Sequence, residues 1–217
     1  AWSTGSCNQG LPNPVAPPEG GDPNSPDWCP AEVDSTMQQD DNWFYIPGYP
    51  VHPLSDLVAS YEASLGQNSN WILDIAPPPN STVVAAHAAQ YAALGAWLRG
   101  CYLGPPVTSA AIAAPDYTLF MQVPAGASFN RIRLAEDQVG GQVIRTYTVS
   151  GLVNGTTWTV LSNGTSVGAG KIDVFAATFT NTPVVRVVAT PPPLSLTAAL
   201  FACTDPTPPP PAAAHEV

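Results

Sequence analysis

Charge is scarce in this chain. Its 217 residues include only 6 basic side chains against 16 acidic ones, so 10% of residues are charged and the net charge is −10. That balance repels phosphate backbones and argues against a nucleic-acid partner. No polybasic cluster is present to hold an anionic membrane surface. The longest apolar run, residues 83–98, contains His87 and Gln90 and is too short to span a bilayer. Cysteine spacing argues against a structural zinc site. Cys7, Cys29, Cys101 and Cys203 form no C-x-x-C pair, and the three histidines are scattered. Nothing at the N-terminus resembles a signal peptide, as expected of a processed or truncated chain.

What is present suits a folded extracellular protein. Hydrophobic residues make up 45% of the chain, enough to bury a core. The length fits one large domain or two small ones. An even cysteine count in a chain rich in Pro and Thr, with a single lysine, fits an oxidising compartment. Asn-x-Ser/Thr sequons stand at Asn80, Asn154 and Asn163. Secretion, with glycosylation at those sites, is the expectation. A Cys7–Cys29 bridge would staple the aperiodic, Pro- and Gly-rich residues 1–31, with Trp28 as their anchor.

Local patterns divide the chain. Leu54, Leu57, Val58, Tyr61 and Leu65 recur at helical spacing, Ser55 is the expected N-cap, and Gly66 suits a C-terminal cap. "WILDI", residues 71–75, reads as an apolar strand stopped by Pro77–Pro79, of the type found in parallel sheets covered on both faces. Ser81 or Thr82 is placed to cap a helix running to about Leu98. Residues 32–103 thus alternate strand, helix, strand, helix, as in an α/β unit. Two such units close no barrel, since an eight-unit barrel needs about 250 residues. This half therefore reads as the tail of a larger α/β domain. Residues 104–117, "GPPVTSAAIAAPDY", read as a linker. Residues 118–203 hold short Val-, Thr- and Phe-rich runs, with Asn154-Gly155 and Asn163-Gly164 as hairpin dipeptides. About eight strands at that spacing predict an antiparallel β-sandwich. Residues 204–217 read as a disordered Pro/Ala-rich tail.

Several stretches, taken in order, resemble one family. They are "DWCPAEVDS" at 27–35, "NWFY" at 42–45, "LVASYEASLGQNSNWILDIAPP" at 57–78 and "YAALGAWL" at 91–98. They look like the C-terminal part of the α-L-fucosidase catalytic domain, of the plant and bacterial branch, and the resemblance implies that residues 1–103 are the C-terminal part of a (β/α) TIM-like barrel. "ASFNRIRLAEDQVGGQVIRTYTVSG" at 127–151 and "WTVLSNGTSVGAGKID" at 158–173 look like that family's accessory β-sandwich, a discoidin-like jelly roll. The resemblance implies a retaining glycoside hydrolase that releases α-L-fucose from fucosylated glycans. Such chemistry uses two carboxyl groups about 5 Å apart, one a nucleophile and one an acid/base. It needs no metal or organic cofactor.

In the resembling branch both catalytic carboxylates fall on strands before residue 1. The chain would then be inactive alone and would need the upstream portion of the same barrel. Glu32 is the weak catalytic candidate left within it. The resemblance implies substrate-binding roles for Glu32, Asp34, Trp43, Tyr45 and Trp28, with Phe44 packed inward. Two departures stand out: "STMQQDDNWFYIP" lacks the family's Arg and His, and "PPPNSTVV" lacks a glycine after the prolines. Asp74, at a strand's end, is expected to orient loop backbone, and His87, in an apolar helix, to be packed. Arg131, Arg133, Arg145 and Trp158 would either form a sugar-binding face or buttress the barrel. A Cys101–Cys203 bridge would tie the two domains together. A second reading is a non-catalytic carbohydrate-binding or matrix protein that reuses the fold.

Overall fold

A computed structural model describes residues 32–208. Its first part is β1 (Glu32–Thr36), α1 (Leu54–Ser64), β2 (Asn70–Asp74) and α2 (Ala85–Gly100). β1 and β2 are parallel, in register from Glu32–Asn70 to Thr36–Asp74. Parallel neighbours need a crossover, and α1 supplies it. The apolar stripe of α1 buries Leu57 and Val58 against Met37 and Leu94. Trp71 Nε1 donates to Ser35 Oγ at 2.8 Å, tying the strands through their covered face. The other face is not covered among the described residues. Ile72 is 42% exposed there, so the two-sided burial expected of β2 is not met. No barrel closes among the described residues.

Both helices start elsewhere than their Ser and Thr suggest. Pro53, extended at φ −67° and ψ 158°, holds the N-cap position of α1. Proline has no N–H to satisfy there and its φ is preset. Ser55 lies inside the helix and donates to Asp56 Oδ1 at 3.1 Å. For α2 the N-cap is Val84. Ser81 is left-handed at φ 59°. The Asn80 side chain holds Thr82 by accepting from its N–H and hydroxyl at 3.3 and 2.9 Å, so neither residue is free to cap. Gly66 follows α1 as expected, but for lack of room. A Cβ there would lie 2.3 Å from the Glu62 carbonyl oxygen and 2.9 Å from Ile172 Cβ.

The second part is an eight-stranded sandwich: β3 (Thr108–Ala113), β4 (Thr118–Gln122), β5 (Phe129–Glu136), β6 (Thr146–Val153), β7 (Thr157–Gly164), β8 (Lys171–Phe179), β9 (Val184–Thr190) and β10 (Ser195–Phe201). Two four-stranded sheets run β3-β10-β5-β8 and β4-β9-β6-β7. Every pairing is antiparallel. That order is a jelly roll. Alternate residues face inward and fill one core, including Leu119, Phe129, Ile132, Tyr147, Val149, Val185, Val187 and Leu200.

Two readings change here. The segment read as a linker contains β3, which pairs along β10 from Ala113–Ser195 to Thr108–Leu200. Its Ala and Ser carry little strand propensity, yet Ala110 and Ile112 pack on the core. Asn154-Gly155 does turn β6 into β7, with φ of 52° and 69°. Asn163-Gly164 makes no hairpin and ends β7 opposite Thr148 and Tyr147. Gly164 is there because the Tyr147 ring crosses it, and a Cβ would stand 2.5 Å from that ring. Glu136, 4% exposed, pins two loops. Its carboxylate accepts from the N–H groups of Val143 and Ile144, both at 3.0 Å, and of Gly168 at 2.8 Å.

The parts are joined along the outer face of β3-β10-β5-β8. Cys101, after α2, is bridged to Cys203, after β10, as expected. Around the bridge Tyr102, Ile172 and Phe201 bury against Tyr61, Trp97 and Leu98. Tyr102 stacks on Tyr61 with ring centroids 5.8 Å apart. Arg131, 2% exposed, donates from Nε to Glu62 Oε1 at 2.6 Å, and its Nη2 pairs with Asp205. Burial and the neighbouring Glu62 push the Tyr102 hydroxyl pKa far up, so it stays a donor to Glu62 Oε1 at 2.6 Å. The loop after α1 docks too: Asn68 Nδ2 donates to Val167 O at 2.6 Å and Gly170 N donates to Asn68 Oδ1 at 2.8 Å. Trp97 Nε1 donates to Thr204 O at 2.8 Å. The first residues of the expected disordered tail are therefore held, because Arg131 and Trp97 need acceptors that Asp205 and Thr204 supply.

Candidate functional site

The expected sugar-binding residues fall on β1 and the loop that follows it. Strand alternation puts Glu32 and Asp34 on the same, exposed side. Glu32 Oε2 accepts from Asn70 Nδ2 at 3.1 Å, a contact fixed by their cross-strand register. Trp28, Cys7 and Cys29 lie outside the described residues. The structure places Glu32 at the N-terminal end of β1 and the aromatic loop beyond its C-terminal end. Four residues of strand, roughly 13 Å, separate Glu32 from Thr36.

The loop is built by glutamines that sequence reasoning passed over. Gln38, 1% exposed, clamps residue 46 from both sides. Its Nε2 donates to Ile46 O at 2.9 Å and its Oε1 accepts from Ile46 N at 3.0 Å. Gln39 N donates to Pro50 O at 3.0 Å, and Gln39 Nε2 donates to Val51 O at 3.1 Å. Asp40 and Asp41 turn the chain with φ of 56° and 54°. Tyr49 donates its hydroxyl to Asp40 Oδ2 at 2.8 Å. That hydrogen bond raises the tyrosine pKa. The clamp closes the base of the loop and presents residues 42–45 at its tip. The only sign in the sequence was "QQDD", two amides before a two-residue turn.

At the tip Trp43 is 45% exposed and Tyr45 is half-buried. Phe44 is 86% exposed, so the inward packing expected of it is overturned. The loop can offer aromatic faces to the apolar side of a sugar.

Asp74 ends β2 beside Thr36, and its carbonyl accepts from Met37 N at 3.2 Å. Behind it His87 is 2% exposed and its Nδ1 has no partner among the described residues. Burial lowers the His87 pKa, against a smaller upward pull from Asp74. Tyr91 donates to Leu73 O, and burial, with Asp74, pushes its pKa up to about 12. This is a neutral packed layer under the strand ends, which agrees with His87 as a packed residue.

The basic residues of the sandwich do not gather. Arg131 is buried in the junction. Arg133 is exposed on β5 of the same sheet. Arg145 Nη1 donates to Gln142 O and Val143 O at 2.7 and 2.9 Å. Trp158 stands on the other sheet. Asn80, Asn154 and Asn163 are all exposed. Among the described residues no group of three His, Cys, Asp or Glu side chains is placed to hold a metal, and no helix is long and apolar enough to cross a membrane.

No protein-family model and no curated protein matches the chain. Solved structures do. One is a Bacteroides thetaiotaomicron protein described as an α-L-fucosidase, at 24% identity and TM-score 0.76, covering 85% of this chain and 43% of that one. Another is a glycoside hydrolase family 29 fucosidase of Ruminococcus gnavus with fucose bound, at 17% identity and TM-score 0.71, covering 85% and 43%. A third is a glycoside hydrolase 29 family member from an unknown rumen bacterium, at 20% identity and TM-score 0.72, covering 86% and 35%. The chain spans less than half the length of these neighbours. At these identities the likeness shows a shared fold: the antiparallel β-sandwich expected from the sequence is there, while the (β/α)-barrel expected of residues 1–103 is not shown among the described residues.

Proposed function

We propose that this chain is part of a secreted retaining glycoside hydrolase that releases α-L-fucose from fucosylated glycans. One observation carries the reading. A single structural match, at TM-score 0.76 over 85% of the chain, takes in more than the sandwich alone, and the protein matched is described as an α-L-fucosidase. In this reading residues 1–103 are the last units of a (β/α)-barrel and residues 108–203 its accessory sandwich. The catalytic Asp/Glu pair belongs to the upstream portion of the barrel, which would pair with the bare edges of β1 and β2. The chain contributes the aromatic loop, with Trp43 and Tyr45 against the sugar. Glu32 and Asp34 line the same sheet farther from the strand ends. A TIM-type site sits at C-terminal strand ends, where this loop springs from β1.

The alternative, a non-catalytic carbohydrate-binding protein, is favoured by the same loop. Its rings stand exposed at the tip of a loop whose own carboxylates, Asp40 and Asp41, serve the turn. The test is hydrolysis of an aryl α-L-fucoside by this chain and by a longer chain that includes the upstream barrel. Turnover by the longer chain alone, reduced about 10-fold or more by Trp43→Ala, is expected. No turnover by either, with fucosylated glycan still bound, would favour the alternative. Turnover by this chain alone would place the catalytic carboxylates within it, with Glu32 and Asp34 first in line.

A further inference from the structure

The sheet β4-β9-β6-β7 has an outer face that no helix covers among the described residues. Its register lines up one row across all four strands: Phe120 opposite Arg186, Arg186 opposite Ser150, and Ser150 opposite Val160. Trp158, paired with Leu152, stands in the next row. The Arg186 guanidinium carbon lies 4.3 Å from the centre of the Trp158 ring. Phe120, Val160 and Trp158 are 54%, 57% and 39% exposed. Thr118, Val188 and Thr148 form a parallel row that brings hydroxyls alongside.

The charge pattern of this face is unlike that of the chain. The chain carries 16 acidic residues, yet none of these four strands holds an Asp or Glu. Arg186 is their only cation and pairs with no carboxylate among the described residues. Its Nε is buried and has no hydrogen-bond partner among the described residues. By contrast Arg131 and Lys171 both face carboxylates. The indole stacks on the guanidinium plane by cation–π attraction.

We propose that this face is a second binding platform, for a carboxylate-bearing oligosaccharide of the uronate type. The fork of Arg186 takes the carboxylate, the rings of Phe120 and Trp158 take apolar sugar faces, and the threonine hydroxyls take sugar hydroxyls. A peptide fits less well. An extended peptide adds at a sheet edge through unpaired backbone groups, and a helix needs a groove. Here the backbone is already paired across the face. A second copy of the chain would bring another net charge of −10. This inference is independent of fucose release.

The test is calorimetric titration of the full chain with a short oligogalacturonate and with a neutral glucan oligosaccharide of equal length. Saturable, salt-weakened binding of the uronate alone is expected. Arg186→Gln should weaken it about 10- to 100-fold, the range of a charge-assisted hydrogen bond. Trp158→Ala should weaken it as well, and Arg186→Lys should retain part of it. Thermal melts of each variant establish folding, and Phe120→Ser probes the far end of the row should Trp158→Ala fail to fold. No saturable binding by the wild type, equal binding of the neutral sugar, or equal binding of polyglutamate would each overturn the proposal. So would self-association that Arg186→Gln abolishes.

Discussion

The two halves of the molecule solve the burial problem differently. The sandwich closes on itself: its core runs from Leu119 to Leu200, and most of those side chains are wholly enclosed. Among the described residues the α/β half buries only Met37, Leu57, Val58 and Leu94 in its own cluster. Among those residues it leaves Phe44, Ile72 and Val83 exposed and the edges of a two-stranded sheet unpaired. The lesson is that the sandwich supplies its own stability, while the α/β half takes its order from what it is fastened to.

The largest effect should come from the sandwich core. Phe129→Ala should cost about 3–5 kcal/mol, read as a lower denaturant midpoint for the whole chain. Leu57→Ala deletes a comparable contact in the smaller cluster. It should raise amide hydrogen exchange over residues 54–100 while β5, β6 and β9 stay protected. Equal loss of protection in both halves would break the comparison. Next comes the fastening. Arg131→Ala leaves Glu62, 12% exposed, without its cation, at a cost of about 3 kcal/mol. Exchange should rise in α1 and α2 and at Tyr102, with the sandwich interior unchanged.

The smallest effect depends on pH. His87 is buried and its pKa lies below the ordinary value. The unfolded chain therefore takes up a proton that the folded one refuses. Stability is complete above about pH 6.5 and falls as pH drops below it. His87→Leu should flatten the melting temperature between about pH 7 and about pH 5, and an unchanged slope would place the titrating group elsewhere.

Regular elements with strong period were legible in the sequence. The stripe Leu54, Leu57, Val58 and Tyr61 marked α1, and Asn154-Gly155 marked the β6–β7 turn. β3 was hidden because alanine and serine give it no strand signature, and it is held by pairing with a strand more than eighty residues away. Asn163-Gly164 misled because its glycine answers to the Tyr147 ring and not to a turn. The helix caps misled because Pro53 and Val84 take those places through backbone geometry. At the candidate site the aromatics stood out, but their orientation depends on Gln38 reaching residue 46, eight residues on, a contact that "QQDD" marks only as a turn. Nor could composition pair Glu62 with Arg131 and Asp205, which meet only once the halves are docked.

The Cys101–Cys203 bridge brings the entrance and exit of the sandwich within 5.1 Å, Cα to Cα, across 102 residues of sequence. Mechanically the jelly roll is a closed pendant. A pull applied to the chain on either side of the bridge would run from α2 through the two sulfurs and out past residue 203. The eight strands would carry no tension while the half before them was drawn out. Reducing the bridge would put the strands back in line with the pull.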